Sequence, residues 1–238
     1  MAEPWFVEAF RAEYLDVYPH RDLESAQKEA GYLVERGLAG RVLDLCCGSG
    51  RHCIALRERG IDAFGLDLSL DLLRRARGLD GRIVCGDARS IPCAPGSLDA
   101  VVSLFSSFGY FGDEGDRLVL LEVSRVLKPR GLFVIDLMNP TRVRAELVPS
   151  SEAVRGRHRI VERRSLADDG RRVVKEVRFQ TADGSSRAWR EDVRLYEVRD
   201  LLALLTGTGL EMLRADGGYD GSTLSPDSSR QILWLRRC

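Results

Sequence analysis

The sequence predicts an α/β fold, a doubly wound and mostly parallel sheet of seven strands with an antiparallel β insertion after strand five. Three observations predict it. Short apolar segments alternate with helical patterns through the first 140 residues, a glycine loop follows the first apolar segment, and period-two alternation begins near residue 157. We expect a single domain over 1–238, divided into an N-terminal helical cap (1–38), a core (39–140), the insertion (157–196) and a C-terminal part (197–238) with one helix and the last two strands.

The core elements follow from apolar runs and from helix signals. Strands are predicted near 41–46, 62–67, 82–86, 99–104 and 132–136. Helices are predicted up to Gly37, over 51–58, from the N-cap Ser69 to Arg77, and over 116–127. The last helix ends before Pro129, because proline cannot continue it.

The insertion is marked by alternation of apolar and polar residues. Val173, Val177 and Phe179 alternate with charged neighbours, and the segments Asp168-Asp169-Gly170 and Ala182-Asp183-Gly184 are typical turns. The pattern predicts three antiparallel strands joined by hairpins. A helix over 198–205 and strands near 210–216 and 230–236 follow. We expect the insertion to form a lid or a dimer surface, with a purely stabilising sheet extension as the alternative.

A strand that breaks into a glycine loop is the most informative segment, and it spans residues 42–51. Gly48 and Gly50 allow a tight turn and a close approach of the backbone to a ligand. The helix that follows presents free amide groups to that ligand. The segment therefore predicts a nucleotide-like ligand, although Cys53 occupies the place of the small third residue in the dinucleotide pattern G-x-G-x-x-G/A.

Three acidic residues narrow the choice of ligand. Asp44 lies inside the first strand, Asp67 ends the second and Asp87 follows the third. An acid at the end of the second strand can accept hydrogen bonds from both ribose hydroxyls. Asp44 can reach a cationic or amine-bearing group, and Asp87 can accept an adenine amino group. A ligand with a sulfonium, an amino group, a ribose and an adenine suits all three, so the set predicts S-adenosylmethionine.

The chain resembles the class I S-adenosylmethionine-dependent methyltransferases over about residues 40–140. The motifs that carry the resemblance are Val42-Leu43-Asp44-Leu45-Cys46-Cys47-Gly48-Ser49-Gly50, Gly65-Leu66-Asp67-Leu68-Ser69, Gly86-Asp87-Ala88, Leu98-Asp99-Ala100-Val101-Val102 and Arg125-Val126-Leu127-Lys128-Pro129-Arg130-Gly131. The resemblance implies a Rossmann-like fold and S-adenosylmethionine as the cofactor. Arg130 departs from the family, which usually has glycine there, and we expect the turn to survive this change.

The resemblance also implies roles for individual residues. In this family the acid of the second strand binds the ribose, the glycine loop lies beside the methionine part, and the acid after the third strand reaches the adenine. Arg51 can pair with the methionine carboxylate, and a surface ion pair is the competing interpretation. The predicted cofactor-binding residues are Tyr18, Arg21, Asp44, Cys46, Gly48, Ser49, Gly50, Arg51, Asp67, Leu68, Asp87, Ala88 and Leu104.

Three further segments, 14–21, 105–111 and 218–230, resemble a smaller group of bacterial methyltransferases. That group includes enzymes that methylate the N-terminal amines of peptides. Aromatic residues after strand four can form a wall, and the π faces of their rings can stabilise a sulfonium. Packing in the core is the competing interpretation for each aromatic residue. The predicted substrate-binding residues are Tyr14, Ser107, Phe108, Tyr110, Tyr219 and Arg230.

The predicted reaction is direct, in-line transfer of the methyl group to a nitrogen or oxygen of a small molecule or peptide amine. A hydroxyl acceptor needs a base within hydrogen-bond reach. No residue stands out as that base, which favours an amine and leaves the catalytic residues unassigned.

Three alternatives stay open. A nucleic-acid methyltransferase is expected to show a basic surface and, for adenine amines, [DN]-P-P-[YF] after strand four, where this chain has Ser106-Ser107-Phe108-Gly109. The others are a nicotinamide-dependent dehydrogenase and a non-catalytic module that binds an adenosyl cofactor.

Composition sets limits on partners. Lys plus Arg and Asp plus Glu number 36 each, so no basic field favours nucleic acid. No apolar run approaches the roughly 20 residues of a membrane span, and the first residues lack a signal-peptide pattern. The six cysteines lie mostly inside strand and helix patterns, which indicates reduced thiols. We expect a cytoplasmic monomer or homodimer without a metal or membrane partner.

Overall fold

The fold is described here from a computed structural model, for residues 3–18, 22–155, 158–181 and 184–238. Its strands are β1 (Arg41–Leu45), β2 (Asp62–Asp67), β3 (Ile83–Cys85), β4 (Leu98–Ser103), β5 (Leu127–Met138), β6 (Ser150–Arg155), β7 (His158–Ala167), β8 (Arg172–Gln180), β9 (Ser186–Arg194), β10 (Leu210–Asp216) and β11 (Arg230–Arg237). Seven of them form one sheet in the order β10-β11-β5-β4-β1-β2-β3. The pairs among β1 to β5 are parallel, and β11 is antiparallel to both β5 and β10. The predicted seven-stranded, mostly parallel sheet is confirmed.

Helices cover both faces of this sheet because its central strands are apolar on both sides. The helices are α1 (Trp5–Ala9), α2 (Tyr14–Val17), α3 (Leu23–Glu35), α4 (Arg51–Arg57), α5 (Leu70–Leu73), α6 (Gly112–Val126), α7 (Pro140–Glu146) and α8 (Val198–Leu205). Val42 of β1 packs with residues of α3 and α4. Its neighbour Leu43 points the other way and packs with residues of α6 and α8.

The insertion differs from its prediction by one strand. It is a separate antiparallel sheet of four strands in the order β6-β7-β8-β9, and β6 precedes the predicted range. Alternation did not reveal β6 because its one large apolar residue, Val154, is 72% exposed. The second predicted turn, at Ala182 and Asp183, lies outside the described residues.

Several predicted boundaries also shift. The helix after Ser69 ends at Leu73 rather than Arg77, α6 begins at Gly112, and β5 begins at Leu127. Helix α7 has no counterpart in the prediction, although Asn139 caps it by accepting from the Thr141 backbone N–H. Within the described ranges, every helix is too short or too polar to cross a membrane.

Candidate active site

The glycine loop has the backbone geometry that its residues predict. Cys46, Gly48 and Gly50 all have positive φ, at 64°, 57° and 77°. A Cβ on Gly50 would lie 2.3 Å from Cδ1 of Leu79, so a larger residue there requires a rearrangement. The loop therefore turns sharply at the carboxyl end of β1 and brings backbone to the edge of a cleft.

Asp67 ties this loop to the end of β2. Its carboxylate accepts hydrogen bonds from the backbone N–H of Gly48 at 2.7 Å and of Ser69 at 2.8 Å. Burial raises the pKa of Asp67, although these backbone donors act in the opposite direction. Each carboxylate oxygen keeps acceptor capacity beyond these bonds, and Asp67 lines the cleft.

The other two predicted acids lie around the same point. Asp87 lines the cleft, whereas Asp44 is 1% exposed and lies behind the loop, where it accepts from Cys53 Sγ at 3.6 Å. Burial, followed by the charges of Asp67, Asp44 and Asp87, raises the pKa of the Cys46 thiol well above its usual value. The charges of all three carboxylates act on the Cys46 thiol, so a cation is favoured at this point.

Burial raises the pKa of Asp44 to about 6, while the charges of His52 and Arg51 oppose this increase. Asp87 behaves differently because hydrogen bonds from the Arg89 side chain lower its pKa. The Arg89 guanidinium contacts both oxygens of Asp87, at 3.0 and 2.6 Å. An adenine amino group would share Asp87 with Arg89, a partner that the sequence analysis did not assign.

Arg51 reaches the cleft from the first turn of α4. It donates to Glu29 at 3.0 Å and to Ser25 Oγ at 3.1 Å, and its guanidinium lies 5.1 Å from the centre of the Phe105 ring. Glu29 also contacts His52 Nε2 at 2.5 Å. Burial by itself raises the pKa of Glu29. The hydrogen bond and charge of His52, together with the charge of Arg51, outweigh burial, so the pKa of Glu29 is lowered.

The N-terminal helices cover the cleft. Its lining includes Phe6, Val7, Phe10, Tyr14 and Leu15, and the enclosed volume is about 140 Å³. Sites for small molecules span roughly 300–1,000 Å³. We therefore expect α1 and α2 to move outward while a ligand of nucleoside size enters, and to close over the ligand once it is bound.

A strained turn follows β4. Phe105 and Ser106 have positive φ values of 60° and 62°, which are unusual for residues other than glycine. Asp136 at the carboxyl end of β5 holds this turn, because its side chain accepts from the Phe105 N–H at 2.8 Å and its carbonyl accepts from the Ser106 N–H at 2.9 Å. The fully buried Asp136 carboxylate also accepts from Arg230 Nε at 2.6 Å and from the Tyr219 hydroxyl at 2.9 Å.

The structure brings most of the predicted residues together. Twelve of them line the cleft, namely Tyr14, Cys46, Gly48, Ser49, Arg51, Asp67, Leu68, Asp87, Ala88, Leu104, Ser107 and Tyr110. Asp44 and Gly50 shape the loop from behind. Arg21 lies outside the described residues, as does the neighbouring His20.

Four predicted residues need a correction of their placement, because they do not line the cleft. Phe108 packs in the core against Tyr196. Tyr219 and Arg230 bind Asp136 behind the strained turn. The Tyr18 hydroxyl points to the insertion and donates to Glu191 at 2.9 Å. Each aromatic or charged side chain finds a buried or half-buried partner on an element distant in sequence, which spacing alone does not reveal.

The sequence analysis missed Asp136, Glu29 and the cleft residues of α1. An acid that directly follows the apolar run 132–135 was a usable signal for Asp136, since that position repeats the strand-end pattern of Asp67. Glu29 and Phe6 offered no local signal, because an amphipathic helix presents many such residues.

Known proteins share both sequence and architecture with this chain. A family model described as a methyltransferase domain matches residues 42–131. The dTDP-3-amino-3,4,6-trideoxy-alpha-D-glucopyranose N,N-dimethyltransferase of Streptomyces venezuelae is 30% identical over 194 residues, which cover 78% of this chain and 81% of that protein. The cypemycin N-terminal methyltransferase of a Streptomyces species is 28% identical over 214 residues, or 85% of each chain.

Solved structures agree on the fold. The CcbJ methyltransferase from Streptomyces caelestis aligns with a TM-score of 0.81 and 16% identity, covering 97% of this chain and 98% of its own. An S-adenosylmethionine-dependent methyltransferase from Clostridium acetobutylicum aligns with a TM-score of 0.80 and 18% identity, covering 94% and 98%. With the family match, the relative at 30% identity and the loop and acids described above, the chain belongs to the S-adenosylmethionine-dependent methyltransferases.

Proposed function

We propose that this protein transfers a methyl group from S-adenosylmethionine to an amine nitrogen of a small molecule or peptide. The observation that carries the proposal is the cleft in which the buried Asp67 carboxylate joins the glycine loop, with Asp87 in the same lining. S-adenosylmethionine supplies a methyl group on a positively charged sulfur, which a lone pair can attack directly.

The cleft residues fit the parts of this cofactor. Asp67 has free lone pairs for the two ribose hydroxyls, and a bidentate interaction with a carboxylate is strong and directional. Asp87, which lines the cleft after β3, would accept from the adenine amino group. Arg51, which Glu29 holds at the cleft, would bind the methionine carboxylate. The negative potential around Cys46 favours the ammonium and sulfonium charges.

An amine acceptor requires the least from the protein. A neutral amine attacks without help, whereas a hydroxyl needs a base within hydrogen-bond reach. His52 lines the cleft, but its Nε2 is bound to Glu29. The two relatives described above are named for N,N-dimethylation and N-terminal methylation. Alignment of the two reactants in a covered cleft can supply roughly 7–11 kcal/mol of barrier lowering.

We further propose that the insertion acts on the cleft through the N-terminal helices. Ile160, Val177, Phe179 and Trp189 of the insertion pack with Tyr14, Val17 and Tyr18. Among the described residues, the cleft lining contains none from β6–β9. The insertion therefore supports the cover of the cleft rather than forming its wall.

Titration calorimetry tests the proposed function. The protein is expected to bind S-adenosylmethionine and S-adenosylhomocysteine and not NAD. Asp67→Ala should weaken cofactor binding by roughly 1.5–3 kcal/mol, because hydrogen bonds to a charged group are lost. Asp71→Ala is the matched control, since Asp71 is an exposed acid paired with Arg74 at 3.7 Å. Binding of NAD alone, or unchanged affinity in Asp67→Ala, would contradict the proposal.

A further inference from the structure

A carboxylate on α3 binds two side chains at the start of α4. Oε2 of Glu29 accepts from Arg51 Nη1 at 3.0 Å and contacts His52 Nε2 at 2.5 Å. Glu29 is 7% exposed, so water has little access to this oxygen. Both partners line the cofactor cleft, whereas Glu29 itself does not. A buried acid behind the cleft therefore holds two of the side chains that face a ligand.

The two helices that carry these residues pack against each other. Ala26 and Ala30 of α3 lie in the same buried cluster as Ala55 and Leu56 of α4. Packing at this density fixes the position of one helix relative to the other. The carboxylate on α3 and its partners on α4 therefore have a defined geometry before any ligand binds.

The contacts of Arg51 leave one edge of its guanidinium available. Nη1 carries two hydrogens, and the bonds to Glu29 and to Ser25 Oγ use both. The Phe105 ring packs against the guanidinium, 5.1 Å from its carbon. Nε and Nη2 have no partner among the described residues and stay accessible. These two N–H groups form an edge that can bind a carboxylate through two parallel hydrogen bonds.

His52 offers a second donor next to Arg51. Histidine donates from both ring nitrogens in its imidazolium form, which a carboxylate partner favours. Nε2 of His52 is bound to Glu29. Nδ1 has no partner in the part of the chain that the structure describes, and the ring lines the cleft. Arg51 and His52 can therefore donate to the same anionic group.

The charges at this end of the cleft balance. Arg51 and His52 supply positive charge, and Glu29 and Asp44 supply negative charge. A zwitterion preserves this balance, whereas a ligand with a single charge does not. The amino-acid end of S-adenosylmethionine is a zwitterion. Its carboxylate is complementary to Arg51 and His52, and its ammonium is complementary to the acids.

We propose that Glu29 is a positioning residue, which holds Arg51 and His52 as a paired donor site for the α-carboxylate of the cofactor. This inference rests on the cofactor of the proposed function. Ligands with an intact amino-acid end should gain affinity from the pair, and ligands without the carboxylate should not. A glutamate that only supported the fold would affect both kinds of ligand equally.

Calorimetry with two ligands tests this role. The ligands are S-adenosylhomocysteine and its decarboxylated analogue, in which a hydrogen replaces the carboxylate. Glu29→Asp keeps the charge but withdraws the carboxylate by one methylene group, so it cannot reach both partners. Glu24→Asp is the matched control, because Glu24 is an exposed acid on the same helix, paired with Lys28 at 2.9 Å. Arg51→Gln removes one of the proposed donors.

We expect the parent protein to bind S-adenosylhomocysteine at least roughly tenfold more tightly than the analogue. Glu29→Asp should weaken the binding of S-adenosylhomocysteine about tenfold, and Arg51→Gln roughly 10- to 100-fold. Both variants should bind the analogue within about twofold of the parent, because the analogue has no carboxylate for the pair to bind. Glu24→Asp should bind both ligands like the parent.

Equal loss of the two ligands in Glu29→Asp would show that Glu29 supports only the fold, and unchanged binding would show that it is dispensable. Either result overturns the inference. If Glu29→Asp does not fold, the parent protein still decides, because a parent without a preference for S-adenosylhomocysteine also overturns it. A parent that binds neither ligand would instead refute the proposed function.

Discussion

The two sides of the cleft are assembled from the chain in different ways. The cofactor side uses the ends of β1, β2 and β3, and its loop and acids fall within residues 44–88. The opposite side, where we propose that the acceptor binds, combines the N-terminal helices and the turn after β4. Contacts on the first side are local and built on the backbone, whereas contacts on the second join side chains far apart in sequence.

This difference indicates which side can change its chemistry during evolution. A backbone loop fixed by Gly48 and Asp67 suits one cofactor and tolerates little change. The opposite side depends on side chains such as Phe6, Phe10 and Tyr110, which substitution can alter without disturbing the parallel sheet. Four predictions examine this contrast.

The largest effect is expected from Asp136→Ala, which removes the support of the strained turn after β4. Arg230, 20% exposed at its side chain, would lose its carboxylate partner at 2.6 Å. An uncompensated buried charge should lower the free energy of unfolding by about 3–5 kcal/mol, measured by urea denaturation. The control Asp62→Ala removes an exposed carboxylate that binds Arg82, and should lower it by less than 1 kcal/mol. Equal effects in the two variants would contradict the role of Asp136.

The Asp136 network also shows where prediction from sequence fails. Tyr219 and Arg230 were identified as residues of the site from a resemblance, yet their partner is 83 and 94 residues away. A hydrogen bond over that separation depends on the antiparallel pairing of β11 with β5. Sequence spacing carries information about Gly48 and Asp67 because strand, loop and acid follow each other directly. It carries none about which side chains two distant strands bring together.

The insertion gives the same lesson at the level of secondary structure. The alternation of apolar and polar residues predicted the strands that contribute buried residues such as Val177 and Phe179. It missed β6, whose hydrogen bonds to β7 are made by backbone and need no apolar face.

The next prediction concerns the cover of the cleft. If α1 and α2 must open before the cofactor leaves, S-adenosylmethionine at about 100 times its Kd should stabilise the closed form by about 2.7 kcal/mol. Amides of Trp5–Ala9 and Tyr14–Val17 should then exchange with deuterium roughly 100-fold more slowly. Amides of α8 (Val198–Leu205), none of whose residues lines the cleft, serve as the internal reference. Exchange in α1 and α2 that does not respond to the cofactor would show that entry follows another path.

A smaller effect is expected from the electrostatics of the cofactor side. The pKa of Asp44 is raised to about 6, so this carboxyl is largely protonated at pH 5 in the free protein. A bound cation favours the ionised form, so binding releases a proton and affinity should rise with pH between 5 and 7. A decrease of one unit in the pKa on binding gives about a tenfold rise, or 1.4 kcal/mol.

Calorimetry between pH 5 and 7 should show this rise in affinity for S-adenosylmethionine. The rise should be weaker for S-adenosylhomocysteine, which lacks the sulfonium charge. Asp44→Asn should flatten both profiles, while Asp71→Asn should leave them unchanged. A profile in Asp44→Asn as steep as that of the parent protein would assign the titration to another group.

The smallest effect is expected at Arg130, a surface residue whose backbone is strained in the same way as the turn after β4. Arg130 is exposed and has a φ of 66°, close to the values of Phe105 and Ser106. The left-handed conformation costs an ordinary residue about 1–2 kcal/mol. A substitution by glycine removes this cost, but the greater entropy of glycine in the unfolded chain offsets part of the stabilisation. Arg130→Gly should therefore raise the free energy of unfolding by about 0.5–1 kcal/mol and the Tm by roughly 1–4 °C. Arg130→Ala keeps the Cβ and should gain nothing, so equal stability of the two variants would show that the left-handed geometry carries no penalty here. A gain confined to glycine would imply that Phe105 and Ser106 carry similar strain. That strain persists because Asp136 binds the Phe105 N–H and Arg230 binds the Ser106 hydroxyl.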